Sequence, residues 1–194
     1  MLETLGRLVR RYWHFPIPSF FTQLIDNPVR RRLIQPPWQV ADRMMLEPGM
    51  TVVEVGPGKG SYTLEVARRV APGMVYACDI SPFVVERLRR RAECEGIGNV
   101  ETRIDNVHNL NFDDDSVDRV LMIATLGEIP DPVAVLRECR RILRPGGLVC
   151  LSELLPDPDY PLRGTEKRWA EEAGLVLDGE YGNFFVYQLH FKKL

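Results

Sequence analysis

A chain of 194 residues is long enough for one compact domain with a real core and short for two. Its apolar fraction of 45% and charged fraction of 27% are those of an ordinary globular protein, and a net charge of −2 argues against a general attraction to nucleic acid. The charge is uneven: Arg7, Arg10, Arg11, Arg30, Arg31 and Arg32 against Glu3 and Asp26 give residues 1–35 a local net of +4, leaving −6 for the rest. Cys78, Cys94, Cys139 and Cys150 have no CxxC spacing and read as reduced core residues, and His14, His108 and His190 make no metal-ligand pattern. No apolar run approaches ~20 residues and no signal-peptide pattern opens the chain, so a cytoplasmic protein is expected.

In chain order, Leu2–Trp13 has the spacing of a helix with Leu2, Leu5, Leu8, Val9 and Trp13 on one side and arginines elsewhere. The aromatic, proline-rich run from Phe15 to Phe21 and then Arg30-Arg31-Arg32 follow. This segment, residues 1–35, reads as a helical lid over a site, with peripheral contact to an anionic membrane surface as a second use. From residue 36 to 194 strand and helix alternate. Thr51–Val55 is a β-branched strand, Ser61–Ala71 a helix, Val75–Cys78 a strand ending at Asp79, and Pro82–Glu95 a helix stopped by Gly96 and Gly98. Val100–Ile104 and Val117–Ala124 are strands flanking the polar turn Asp113–Ser116. Pro132–Leu143 carries Val135, Leu136, Cys139, Ile142 and Leu143 as a buried stripe, and Arg144-Pro145-Gly146-Gly147 reads as a turn into the strand Leu148–Leu155. These continuous apolar strands suit a parallel sheet covered on both faces. A helix over Pro161–Ala173 then leads to Leu175–Tyr181 and Phe184–Phe191, which Gly182-Asn183 joins as an antiparallel hairpin.

The strand ending at Val55 runs straight into Gly56-Pro57-Gly58-Lys59-Gly60. A phosphate-binding P-loop fails, because Lys59 is followed by Gly60 and not by Ser or Thr. The dinucleotide fingerprint GxGxxG fails by one position at Ser61. A nucleophile elbow is absent. What matches is E-x-G-x-G-x-G, through Glu54, Gly56, Gly58 and Gly60.

With that pattern the chain resembles the class I S-adenosylmethionine-dependent methyltransferases, and within them the type 11-like branch of quinone-biosynthesis and other small-molecule enzymes. Three further matches in order carry the resemblance: Asp79, 19 residues after Gly60; Asp105-Asn106 after the third strand; and Asp118–Pro130 followed by Leu136 to Gly147. It covers about residues 38–155 and the closing hairpin. The resemblance implies an α/β fold, a Rossmann-like three-layer α/β/α sandwich with a seven-stranded, mostly parallel sheet in the order 3-2-1-4-5-7-6, strand 7 antiparallel. It implies S-adenosyl-L-methionine as cofactor, held by Glu54, Gly56, Pro57, Gly58, Gly60, Asp79, Ile80, Asp105, Asn106 and Ala124. In the family Asp79 takes the ribose hydroxyls, Ile80 packs on the adenine and Asp105-Asn106 meets its edge. No metal is implied.

Methyl transfer from a sulfonium is an in-line displacement whose leaving group departs neutral, so alignment matters most and no acid is needed. No sharp base stands out; Glu128, just past the fourth strand, is the one candidate catalytic residue. The short Pro156–Pro161 segment moves acceptor specificity to residues 1–35 and to Tyr181, Phe184, Phe185 and Tyr187, which suits an apolar or lipid-like small molecule. Two other readings stay open on the residues alone: a nicotinamide-dependent oxidoreductase, and a non-enzymatic cofactor-binding or partner protein.

Overall fold

The computed structural model describes residues 30–155, 157 and 159–194; the Leu2–Trp13 helix and the aromatic run expected before them lie outside the described residues. A π-helical turn, Arg30–Ile34, leads to α1 (Pro37–Arg43). Then follow β1 (Val52–Val55), α2 (Ser61–Val70), β2 (Val75–Asp79), α3 (Pro82–Cys94), β3 (Val100–Ile104), β4 (Val117–Ile123), a 3₁₀ turn (Leu126–Glu128), α4 (Pro132–Ile142), β5 (Leu143–Leu154), α5 (Arg163–Glu172), β6 (Val176–Gly182) and β7 (Val186–Lys192).

The strands form one sheet in the order β3-β2-β1-β4-β5-β7-β6. The first five neighbours pair in parallel, and β7 runs antiparallel to both β5 and β6. This is the expected topology. Alternation along β4 shows why both sheet faces must be covered. Val120 and Met122 pack with Val135, Leu136, Cys139 and Ile142 of α4 and Ala170 of α5, whereas Leu121 and Ile123 pack with Val40 and Ala41 of α1 and Val66 and Ala67 of α2. Helix α3 closes the second face over β2 through Leu88 and Ala92, against Leu64 and Ala77.

Local chemistry sets the helix ends. Ser81 and Asp131 cap α3 and α4 by accepting from the N–H groups of Val84 and Ala134, and Pro82 and Pro132 take the first turns, where no N–H partner is needed. Gly96, at φ +66°, ends α3 with the Ile97 N–H bonded back to the Ala92 carbonyl. In the hairpin, Asn183 Oδ1 accepts from the N–H groups of Phe185 and Val186, which fixes a three-residue loop.

Three expectations are corrected. β5 starts at Leu143, which pairs with Val117; residues 144–147 bulge out before pairing resumes at Leu148 opposite Arg119. The turn read from Pro145-Gly146-Gly147 is therefore an interruption inside a strand, held by bonds between Gly146, Gly147 and Lys193. Cys94 is exposed, while Cys78, Cys139 and Cys150 are buried. The tail aromatics divide: Tyr187 is fully buried, whereas Phe184 and Phe185 are 60% and 64% exposed.

Candidate active site

The parallel strands deliver four chain segments to one edge of the sheet. The first is the glycine loop after β1. Gly56, Gly58 and Gly60 have φ of +70°, +55° and +79°, a region glycine enters without strain. Each also answers a different neighbour. A Cβ on Gly56 would lie 2.7 Å from the Thr125 side chain after β4, and one on Gly60 would lie 2.1 Å from Leu88 Cδ1 of α3. At Gly58 a Cβ would meet nothing within 4 Å, so the open side of the loop is there. Two arginines of α3 hold the loop from behind: Arg87 Nη2 donates to the Gly58 carbonyl at 2.9 Å, and Arg91 Nη1 to the Lys59 carbonyl at 2.7 Å.

Glu54 stands at the foot of this loop, 1% exposed, with Oε2 lacking a hydrogen-bond partner among the described residues. Burial pushes its carboxyl up to about 7, against a smaller downward pull from the Thr63 hydroxyl, which faces it outside regular hydrogen-bond geometry. Beside it lies a cavity of about 70 Å³, within about 370 Å³ of free space that opens to solvent, lined by Arg30, Glu54, Gly56, Pro57, Gly58, Lys59, Ser61, Tyr62 and Ile123. Arg30 is 5% exposed and aimed by Gln35, whose Oε1 accepts from Nε at 2.9 Å and Nη2 at 2.6 Å. Gln35 in turn donates to Ser152 Oγ of β5, and Tyr62 OH donates to the Gln35 carbonyl.

At the end of β2, half-buried Asp79 accepts the Ser81 N–H through Oδ1 at 2.8 Å. Burial raises its carboxyl, opposed by that N–H and by the Arg87 charge. Ile80 and Phe83 beside it are 76% and 71% exposed, an apolar surface next to that carboxylate. Ala124, φ +50°, ends β4 with its N–H on the Ser152 carbonyl.

Asp105 and Asn106 stand differently. The Asp105 N–H bonds the Asp79 carbonyl, which brings the ends of β2 and β3 together, but the Asp105 side chain lines a separate groove of about 830 Å³. That groove crosses the outer face of β2 and β3, where the long Asp105–Ser116 connection carries no helix, and reaches Thr51 before β1 and Ser116 before β4. Arg103 lies in it over the rings of Tyr76 (4.2 Å) and Phe112 (4.7 Å). It is the larger opening, yet it lacks the glycine loop and runs toward the wrong end of the strands for a switch-point ligand. Asn106 Oδ1 accepts the His108 N–H. Gly60 forms the loop as the N-cap of α2 without lining the cavity.

A buried carboxylate with a free oxygen, an opposed buried guanidinium, an open glycine and a carboxylate at the next strand end fit a nucleoside ligand bearing an amino-acid zwitterion. The fold and site thus define a doubly wound nucleoside-cofactor protein. The methyltransferase domain family matches residues 53–151, and this chain belongs to it. Class I members of that family take S-adenosyl-L-methionine as methyl donor. The chain is 33% identical over 119 residues to a demethylmenaquinone methyltransferase of Geobacillus kaustophilus, covering 60% of this chain and 51% of that one. It is 33% identical over 158 residues to a ubiquinone biosynthesis O-methyltransferase of Xanthomonas campestris, covering 81% and 62%. The chain therefore spans about half to three-fifths of the length of these curated relatives. In fold it is similar to a SAM-dependent methyltransferase from Aquifex aeolicus (TM-score 0.83, 22% identity, 92% of this chain and 100% of that one).

Arg30, Gln35, Tyr62 and the clamps Arg87 and Arg91 were not singled out in the sequence. In the sequence Arg30 is one of six arginines in a basic N-terminal segment, and Arg87 and Arg91 belong to the polar face of a helix. No spacing signal marks them: Arg30 meets Gln35 five residues on, but Gln35, Tyr62, Arg87 and Arg91 find partners 27 to 117 residues distant.

Proposed function

We propose that this chain transfers the methyl group of S-adenosyl-L-methionine to a small, apolar aromatic acceptor bearing a hydroxyl or an activated ring carbon. The observation that carries the reading is the Glu54–Gly60 loop. Its glycines leave room for the cofactor above Gly58, and Glu54 and Arg30 offer opposite charges to the ammonium and carboxylate of the cofactor's amino-acid end. Asp79 takes the ribose hydroxyls, and Ile80 and Phe83 cover the base. When bound, the cofactor supplies an electrophilic methyl carbon on a sulfonium. The chain's own part is to hold that end rigid, strip water from it and leave the acceptor one line of approach, a positioning effect worth ~7–11 kcal/mol in favourable cases.

One relative above is named for demethylmenaquinone and the other for ubiquinone biosynthesis, and exposed Phe184, Phe185 and Leu162 (44%) give this chain apolar surface beyond β5. Residues 1–35 complete the picture as a lid: Arg30 and Gln35, where that segment meets the domain, already line or brace the cavity. Its basic, aromatic composition also suits contact with an anionic membrane surface, and no helix among the described residues is long and apolar enough to cross one. Ser61 in place of the third fingerprint glycine weighs against the nicotinamide reading.

Calorimetric titration with S-adenosylhomocysteine and with NADH, followed by transfer of labelled methyl to a panel of quinols and catechols, tests the proposal. Binding of the first and label in an acceptor are expected. Binding of NADH alone would overturn it, and cofactor binding without transfer to any acceptor would favour a non-enzymatic role.

A further inference from the structure

Helix α3 carries four arginines, and three of them settle on carboxylates. Arg89 and Arg90 pair with Glu86, and Arg91 Nε pairs with Glu95 one turn on. Arg87 makes no ion pair among the described residues. It turns instead to the glycine loop, where Nη2 donates to the Gly58 carbonyl at 2.9 Å. Phe83, one turn before it, supports the guanidinium, whose carbon lies 5.6 Å from the ring centre, within cation–π range. Its Nε is buried with no hydrogen-bond partner among the described residues. A buried donor left without a partner costs stability, so stability alone does not select this pose for a long, flexible side chain. One turn on, Arg91 bonds the next carbonyl, that of Lys59, and Leu88 lies under Gly60. One face of α3 thus meets three consecutive loop residues. A trans peptide unit is planar, with its C=O and N–H pointing opposite ways. With the Gly58 carbonyl held toward α3, the N–H of the same unit, that of Lys59, points away from α3. The cavity lies on that side: Gly58, Lys59 and Arg30 line it, and no residue of α3 does.

We propose that Arg87 is a positioning residue for the methyl donor: it fixes the Gly58–Lys59 peptide so that the loop presents an N–H, and not a carbonyl, to the carboxylate of the cofactor's amino-acid end. Gly58 needs such a hold more than the other loop glycines do. Gly56 and Gly60 are wedged against Thr125 and Leu88, whereas a Cβ on Gly58 would meet nothing within 4 Å. Packing therefore does not fix its peptide planes, and glycine turns them more freely than any other residue. A flipped 58–59 peptide would aim a carbonyl dipole at the carboxylate and repel what the loop now attracts. Arg87 acts through the loop and leaves the cofactor itself to Glu54, Arg30 and Asp79. The role rests on the S-adenosyl-L-methionine reading of the site.

Calorimetry of the full chain with S-adenosylhomocysteine and with adenosine tests the assignment, with circular dichroism to check the fold. Arg87→Met keeps the packing of the stem. It should weaken S-adenosylhomocysteine by about tenfold or more, the worth of a hydrogen bond to a charged group. Adenosine, which has no carboxylate, should lose far less. Arg87→Lys can still donate to the Gly58 carbonyl and should recover part of the loss. In the cofactor-free Arg87→Met protein the Gly60 amide, bonded to the Pro57 carbonyl, should exchange with deuterium faster than in wild type, while the amides of β1 should not. Arg90→Met loses only an exposed pair with Glu86 and should match wild type in each measurement. If Arg87→Met does not fold, the shorter, neutral Arg87→Gln serves the same comparison. Unchanged S-adenosylhomocysteine affinity in the folded variant, or equal losses for the two ligands, would overturn the assignment and leave the cofactor reading standing. A wild-type protein that binds no S-adenosylhomocysteine would bring down both.

Discussion

Replacing Glu54 by glutamine should remove a pH-dependent loss of stability and, in the same stroke, weaken the hold on the cofactor. The Glu54 carboxyl is buried, and it ionises in the fold near pH 7, against 4.5 for the ordinary group. The unfolded chain therefore gives up this proton near 4.5 while the folded chain keeps it until about 7. The stabilisation is fully present below 4.5 and is lost as pH rises through 7. At about 1.4 kcal/mol per pH unit it amounts to at most about 3 kcal/mol. The glutamine variant has nothing to titrate there. The stability difference between variant and wild type should move in the variant's favour by up to about 3 kcal/mol between pH 4.5 and 8. Urea midpoints at each pH measure it. The cofactor's ammonium needs the ionised form, whose share rises from roughly a tenth at pH 6 to roughly nine-tenths at pH 8. Wild-type affinity for S-adenosylhomocysteine should accordingly tighten about tenfold over that interval, and the variant's should not change. Parallel stability profiles, or a variant that binds as tightly as wild type at pH 8, would refute the reasoning.

Gly58→Ala and Gly60→Ala should fail differently. The first places a methyl group in open space at positive φ, costing about 1–2 kcal/mol of stability and blocking the cofactor, so affinity falls far more than the melting temperature does. The second drives a Cβ to 2.1 Å from buried Leu88 and should show first as unfolding. Arg30→Met should lower affinity for S-adenosylhomocysteine by about 1.5–3 kcal/mol, the worth of a charged hydrogen bond, and hardly alter adenosine binding, as read by calorimetry. His190, fully buried on β7, has its ring pushed down to about 4 by burial. The unfolded chain takes up that proton near pH 6.5, so stability should fall as pH drops from 6.5 to 4, by at most about 3 kcal/mol. His190→Gln should lessen that fall in acid denaturation; an equal fall in both proteins would count against it.

Much of the fold is legible because it is local. β-branched and apolar residues mark β1, β2 and the second half of β4, and Pro82 and Gly96 bracket α3 as Pro132 opens α4. The glycine loop is legible for the same reason: its requirement is a backbone one, written in consecutive residues. What sequence alone does not reveal is whatever β4 and β5 assemble by lying side by side. Arg30 meets Glu54 across a cavity, and Glu128 meets Asp157 and Asp159, only because the sheet order brings the ends of β1, β4 and β5 into a row. Asp105 shows the converse. Its position in the chain fits the family pattern, yet the residue lines the groove over β2 and β3, where its Oδ2 accepts the Asn111 N–H from the helix-free connection.

The buried chain of contacts from Arg30 through Gln35 to Ser152 and Tyr62 bears on where this domain can be cut. A fragment starting at residue 36 would keep every strand and helix α1 to α5. It would nonetheless lose the side chain that donates to the Ser152 hydroxyl and both Gln35 oxygens that meet the Tyr62 hydroxyl. The Tyr62 and Ser152 hydroxyls would each give up bonds to Gln35, at about 0.5–1.5 kcal/mol per bond, while Ser152 Oγ would still donate to the Tyr187 carbonyl. A chain cut at residue 36 should therefore unfold at a lower urea concentration than one cut at residue 30.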